Sequence, residues 1–549
     1  MAPSRWLRFA TLLAALALVA AACGGDDGGG GGGDDGGGEE ITIIHGTSDP
    51  PSSYDPAGSY DLPSWTILYN VMEGLLTIEP GGNEPVPALA ESCDYEDAQT
   101  YTCTLKQGVK FHDGTDFTAS DVKFSIDRVL QIHDEASGGY GLLGGLANAP
   151  DCEQPCAPWT GDEIEVVDDY TVTFHLAVED ATWPKILSTP AAYIVSEDAY
   201  SATALQEDAP GQVVGTGPYE LTDYRSGEQT VLEAFADYHG EPPANDRVII
   251  QQFDESSALK LAIEQGEVDI AYRNLTPTEV EALRSADGVE IVEGNGTEIR
   301  YLVFNTALAP FDELAVRQAI AMTLDRQAIA DNVYNGVVEP LYSQVPVGLE
   351  GHTPAWADEY GETPDTAAAA DLLDGAGVDT PLDITIWYTP SRYGDASADE
   401  YAEIERSLEE SGLFNVELDS TEWEQYKVAA FGETDASKNQ YGAYQLGWFP
   451  DYVDADNYTS PFFSANGGFL HNGYENPAVD ELLAQQKAST DTAERVAIFE
   501  EIQRLVAADA PLIPYYQAKQ VAAVRDGITG VEDTFDPSFQ FRFWLISKA

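Results

Sequence analysis

A chain of 549 residues with 43% hydrophobic and 10% aromatic side chains has apolar material for three or four folding units, which excludes general disorder. Its 26 Lys+Arg stand against 95 Asp+Glu, a formal net charge of −69. That balance excludes a nucleic-acid partner, whose phosphates need Lys and Arg, and it sets the chain against an anionic membrane surface.

Residues 1–22 read as a secretory signal: Arg5 and Arg8 precede an uncharged apolar run from Phe9 to Ala22. The run is shorter than the ~20 residues a membrane-spanning helix prefers. Ala20-Ala21-Ala22 ahead of Cys23 resembles a bacterial lipobox, with Ala20 where Leu is usual. That resemblance implies lipidation of Cys23; an ordinary signal peptide with an incidental Cys is the alternative. The Gly/Asp tract that completes residues 23–40 cannot pack and is expected to be a self-repelling tether.

Four further Cys remain. Cys93 and Cys103 flank a stretch that reads as a hairpin, and Cys152 and Cys156 bracket a three-residue loop. Two short disulfides suit an oxidising exterior, with a four-Cys zinc site as the competitor.

From Ile41 onward, strand and helix patterns interleave. Residues 41–49 read as a strand ending in a turn, and Ser64 to Leu75 has helical spacing. Thr100 to Gly114 alternates like paired strands. Thr118 is placed to cap a helix running to Ile132. Asp169 to Ala177 alternates as a strand, and Gly215 to Tyr219 is a Gly-Pro corner leading into another. Ser256 to Gly266 predicts a capped helix with a glycine stop, followed by a strand at 268–272. Tyr301 to Asn305 predicts a strand, and Leu314 to Ile329 one long amphipathic helix. The class is α/β.

No hydrolase elbow, metalloprotease helix, P-loop or dinucleotide fingerprint is present. Paired carboxylates occur everywhere by chance among 95 acids, so they give a glycosidase no support. Asp451 to Asn457 is rich in acids, but it lacks the spacing and the twelfth-position Glu of a calcium loop. The seven His are scattered, and no metal centre or cofactor is expected. The acids spread over the whole chain, which fits a salt-adapted surface.

Many blocks in order resemble the family 5 solute-binding proteins, the dipeptide/oligopeptide-binding lipoproteins of ABC importers. They are Tyr69–Leu76, Pro87–Ser92, Leu105–Gly114, Thr118–Arg128 and Gly215–Tyr219. Phe304–Thr306, Val316–Ile320 with Asp325 and Arg326, Gly447-Trp448 and Pro511–Tyr515 follow. The resemblance implies a two-lobed periplasmic-binding-protein-like fold with a hinge and cleft, plus an extra subdomain on the first lobe. Lobe one is expected at 41–76, 211–298 and 521–549, the subdomain at 77–210 and lobe two at 299–520.

The resemblance also implies a site. In peptide-binding relatives an Asp shortly after a Gly-Trp pair holds the peptide ammonium; Asp451 is at the matching place, with Asp454 and Asp456 as alternatives. The peptide main chain is gripped between two extended segments, here Tyr60-Asp61-Leu62 and Gly447-Trp448-Phe449. Trp387, Tyr388 and Trp423 are candidates for side-chain pockets or for core. The expected partners are a peptide and the permease and ATPase subunits of an importer, with membrane contact only through the lipid anchor and a monomeric chain. An oligosaccharide, an opine or a nickel chelate is the alternative solute, and a secreted hydrolase the alternative class.

Overall fold

A computed structural model describes residues 40–146, 159–390, 392–394, 396–465 and 468–549. The signal segment, Cys23, the tether, Cys152 and Cys156 lie outside the described residues.

Two large mixed sheets organise the chain. The first has seven strands in the order Val289–Gly294, Gln520–Arg525, Ile270–Tyr272, Thr42–Thr47, Arg247–Gln252, Gln229–Ala234 and Tyr219–Arg225. Thr42–Thr47 lies at its centre, parallel to both neighbours. The helix Ser256–Gln265 carries the chain over from one of these neighbours to the other. It stops at Gly266, whose φ of 73° is left-handed backbone that glycine adopts without steric cost. The second sheet has six strands in the order Val338–Pro340, Leu512–Ala518, Ile299–Phe304, Ala443–Trp448, Leu382–Tyr388 and Phe414–Ser420. All six residues of its central strand Ile299–Phe304 are buried, five of them apolar or aromatic and the sixth, Arg300, ion-paired with Glu298.

A third, four-stranded antiparallel sheet orders Ala90–Asp97, Thr100–Leu105, Thr171–His175 and Ile164–Asp168. The expected hairpin is its first pair, and Cys93 and Cys103 face each other in register and form a disulfide.

The cores say which sheets belong together. Ile43, Leu232, Val248 and Ile270 of the seven-stranded sheet share one apolar cluster with Tyr101, Cys103, Val172 and Phe174 of the four-stranded sheet. The six-stranded sheet packs its own cluster, with Ile299, Tyr301, Ile384, Tyr444 and Ile513. Two lobes result, and the small sheet is welded to the first. The chain crosses between them twice, at 295–298 and at 519. Side-chain amides lace the crossings: Gln517 Nε2 donates to Gly296 O (2.6 Å) and Gln520 Nε2 to Asn295 O (2.7 Å).

Local rules account for most boundaries. Asp121 Oδ2 accepts from the Thr118 backbone N–H at 2.9 Å, opening the helix Ala119–Ile132 with a capping box. The Gly215–Tyr219 corner presses on the end of the helix Leu62–Val71: Gly217 N donates to Val71 O (3.0 Å), and a Cβ at Gly217 would stand 2.6 Å from Val71 C. His112 braces the corner, with Nδ1 accepting from Gly215 N (3.2 Å) and Nε2 facing Gly217 O (3.1 Å).

Two expectations need correction. The single long helix from Leu314 ends at Thr323; Leu324 turns extended, and Asp325 caps a new short helix by accepting from Ala328 N (2.9 Å). The apolar rhythm continues through this break, so periodicity alone joins the two. The paired strands expected over Thr100 to Gly114 shrink to Thr100–Leu105, after which the chain turns, with a single bridge from Lys110 to Asp116.

Candidate functional site

The strand Ala443–Trp448 runs to the boundary between the lobes. One edge is paired, Arg300 with Gly447 and Ile299 with Trp448. On the other edge its bridge to Leu382–Tyr388 is at Tyr444, opposite Trp387. Residues 445–448 therefore run past the end of that neighbour, with no strand partner on this edge among the described residues. Gly447 has no room for a side chain, because a Cβ would overlap the guanidinium of Arg300. Arg300 is itself buried, paired with Glu298 at 2.5 Å and stacked 4.2 Å from the Tyr393 ring centroid.

Trp448 is framework. It stacks on Phe469 at 5.3 Å, and its indole N–H donates to Asn457 Oδ1 at 3.0 Å. The same Asn457 oxygen accepts from the Asp451 backbone N–H (2.9 Å), and Asn457 Nδ2 donates to Asp451 Oδ2 (2.9 Å). One buried amide thus fixes both the indole and the carboxylate. From the other lobe, the Tyr60 hydroxyl donates to Asp451 Oδ1 at 2.5 Å.

The three acids of this stretch have different fates. Asp454 is buried and takes a two-pronged contact from Arg495 (2.9 and 2.7 Å), with Lys185 Nζ at 3.3 Å. Against the cost of burial, these cations hold its carboxyl below the usual range. Asp456 is buried among Tyr452 (2.7 Å), Ser460 and Gln486, with Lys487 at 3.8 Å. Asp451 has no cation within ion-pair distance among the described residues. Burial pushes its carboxyl up, and the Asn457 and Tyr60 donors only partly offset that. Of the three, it is the carboxylate whose charge is left to be matched.

On the facing lobe, Tyr60, Asp61 and Leu62 divide their roles. The Asp61 carboxylate caps a helix, accepting from Ser64 N and Ser64 Oγ (2.8 Å each). Leu62 is the first residue of that helix, Leu62–Val71. Tyr60 alone sends its side chain across the cleft. Its ring rests on the edge of Trp65 and stays 38% exposed, while burial of the hydroxyl end beside Asp451 raises the phenol well above its ordinary value. The candidate pocket aromatics lie in lobe two. Trp387 stacks on Tyr441 (4.0 Å), Tyr388 on Tyr401 (5.3 Å), and Trp423 carries the Arg392 guanidinium 5.3 Å from its ring centre.

Sequence reasoning missed Asn457, Arg273 and Phe539. Arg273 lies 5.2 Å over the Phe449 ring and Phe539 meets the same ring edge-on at 5.8 Å. Asn457 stands among acids that draw the eye, and the other two are far from Phe449 in sequence, so no local pattern marks any of them. Among the described residues no group of three or more His, Cys, Asp or Glu is placed to hold a metal ion. No described helix is long and apolar enough to cross a membrane.

Two α/β lobes with a cleft between them are the architecture of a protein that binds a solute between its lobes. The chain belongs to the bacterial extracellular solute-binding proteins, family 5, whose middle region matches residues 84–469. It is similar to the di/tripeptide-binding protein 3 of Pseudomonas aeruginosa, at 29% identity over 84% of this chain and 86% of that one. It also resembles the dipeptide-binding protein of Escherichia coli, at 26% identity over 92% and 94% of the two chains. Among solved structures, the binding protein DppA from Helicobacter pylori in complex with the peptide STSA superposes with a TM-score of 0.72, at 24% identity over 93% of this chain and 98% of that one.

Proposed function

We propose that this protein captures di- or oligopeptides in the interlobe cleft and delivers them to the permease and ATPase subunits of an ABC importer. The observation that carries the reading is the isolation of Asp451. It is half-buried and held by neutral donors, whereas its buried neighbours Asp454 and Asp456 are spent on cations of their own lobe or beside it. An ammonium group brought to that carboxylate in a closed cleft would gain a charge-assisted hydrogen bond in a low-dielectric setting. The edge at Trp448, continuing to Phe449, would offer main-chain groups to an extended ligand, which pairs without regard to side chains, whereas the Gly447 N–H already meets the Tyr393 hydroxyl. Tyr60 supplies the facing wall, with Asp61 and Leu62 behind it as the helix start. The peptide-binding relatives support the choice of solute.

The lobes in this reading are 41–76, 211–298 and 521–549 on one side and 299–520 on the other, with 77–210 as the subdomain. A signal at 1–22 and a lipid on Cys23 would place the monomer on the outer face of the cell membrane, working as a carrier and not as an enzyme. Calorimetric titration with trialanine and with N-acetyl-trialanine tests the solute class. Tight binding of the first, loss with the second and no turnover of either is the expected result. Equal affinity for both, or hydrolysis, would defeat the reading.

A further inference from the structure

Phe449 ends the segment assigned to ligand recognition, and its ring points into the opposite lobe. Two side chains meet it there: the Arg273 guanidinium, 5.2 Å from the ring centre, and the Phe539 ring, edge-on at 5.8 Å. Both stand on left-handed backbone, with φ of 79° for Arg273 and 55° for Phe539; Asn274 beside Arg273 is at 62°. Non-glycine residues avoid this region, bulky aromatics above all, and where they persist the surroundings must hold them in place.

The surroundings do so here. Arg273 Nε and Nη2 both donate to Asp49 Oδ2 at 3.1 Å, which aims and neutralises the guanidinium. Phe539 closes a turn built on Asp536: its N–H donates to Asp536 O (3.2 Å), and the Asp536 carboxylate accepts from Ser538 N (2.9 Å), Gly81 N (3.0 Å) and Arg542 Nη1 (2.6 Å). Asp536 and Arg542 are almost fully buried, so this side of the socket is rigid. Thr297, at the interlobe crossing, donates to Pro537 O (3.0 Å) and ties the socket to the hinge.

We infer that Arg273 and Phe539 are positioning residues that clasp the Phe449 side chain across the cleft, so that the Gly447–Phe449 segment is fixed in its binding geometry only when the lobes close. The inference rests on the reading of that segment as ligand-binding, but the clasp itself is a contact between lobes and is measurable without ligand. A peptide lying on the strand edge would then select the closed arrangement that the clasp already populates, which links recognition to the hinge.

The test uses the whole chain carrying Arg273→Gly, Phe449→Ala or both, with Arg273→Lys as the conservative variant. Small-angle scattering of the ligand-free protein reads compaction, thermal denaturation reads the fold, and calorimetry with trialanine reads binding. Each single variant should raise the radius of gyration and weaken trialanine about two- to thirty-fold, the range of one cation–π contact. The double variant should lose no more than Phe449→Ala alone. Arg273→Gly relieves a disfavoured backbone but leaves Asp49 unpaired, so the thermal midpoint serves only to show that the variant is folded, and Arg273→Lys should recover part of the loss in binding. Additive losses, or unchanged compaction and affinity in both single variants, would overturn the proposal. Failure of the wild type to bind trialanine would count against the peptide reading alone, and the scattering comparison would still decide the clasp.

Discussion

His45 shows how far burial governs single residues in this protein. It lies on the central strand of the seven-stranded sheet, wedged edge-on among Tyr272, Phe541 and Phe543, and its Nδ1 has no hydrogen-bond partner. Burial drives its pKa down to about 3. The folded state therefore refuses a proton that the unfolded chain takes up near its ordinary value. Above about pH 6.5 His45 is neutral in both states and contributes no pH dependence; as pH falls toward 3 the unfolded state gains. His45→Leu should make stability less steep in pH across that window, by about 1.4 kcal/mol per pH unit for one proton. It should also cost little at pH 8, because it removes an unpaired buried polar atom. Urea unfolding of both proteins from pH 8 to pH 4 checks this; parallel pH curves would contradict it.

At the scale of elements, the Gly215–Tyr219 corner is the sharpest case of sequence dictating packing. Gly217→Ala drives a methyl group toward the Val71–Met72 backbone, where neither partner can rotate away. Overpacking of this kind costs ~1–3 kcal/mol. Chemical denaturation should show that loss with an unchanged m-value, and a neutral substitution would mean the helix end gives way. Elements with their own local signal were legible in the sequence: the Cys93–Cys103 hairpin, the Thr118 capping box and the helix stopped by Gly266. The break at Leu324 was not, because the apolar rhythm runs through it and only the Asp325 cap ends the turn. Asp61 followed by Pro63 and Ser64 is a helix-start signal, yet reading 60–62 as one extended segment hid it. Asp451 was singled out, beside Asp454 and Asp456, only through the resemblance that places it after Gly447-Trp448. Its freedom from cations was not, since that depends on Lys185 and Arg495 arriving from distant elements to claim Asp454. The Phe449 clasp is illegible for the same reason.

Across the whole molecule, charge decides two things. A formal charge of −69 makes the compact state repel itself, and that repulsion is screened over ~10 Å at 0.1 M salt and ~3 Å at 1 M. Stability should rise steeply toward molar salt in denaturant titrations; a flat dependence would count against a salt-adapted surface. Within that acidic field, the small sheet's lobe meets lobe two through alternating charges: Glu84 and Asp454 both reach Lys185 (3.0 and 3.3 Å), and Arg495 backs Asp454. Each lobe thus brings a neutralised pair to the contact, which limits the desolvation cost of closing. Asp451 is the exception left open at the cleft, and the account of function stands on it. The direct measurement is a calorimetric cycle at fixed salt, pairing wild type and Asp451→Asn with trialanine and its N-acetyl form. If Asp451 holds the ammonium, acetylation should cost the wild type ~2–5 kcal/mol, about 30-fold or more, and cost Asp451→Asn far less. Additive losses from acetylation and substitution would show that the ammonium and Asp451 never meet, and would contradict the account.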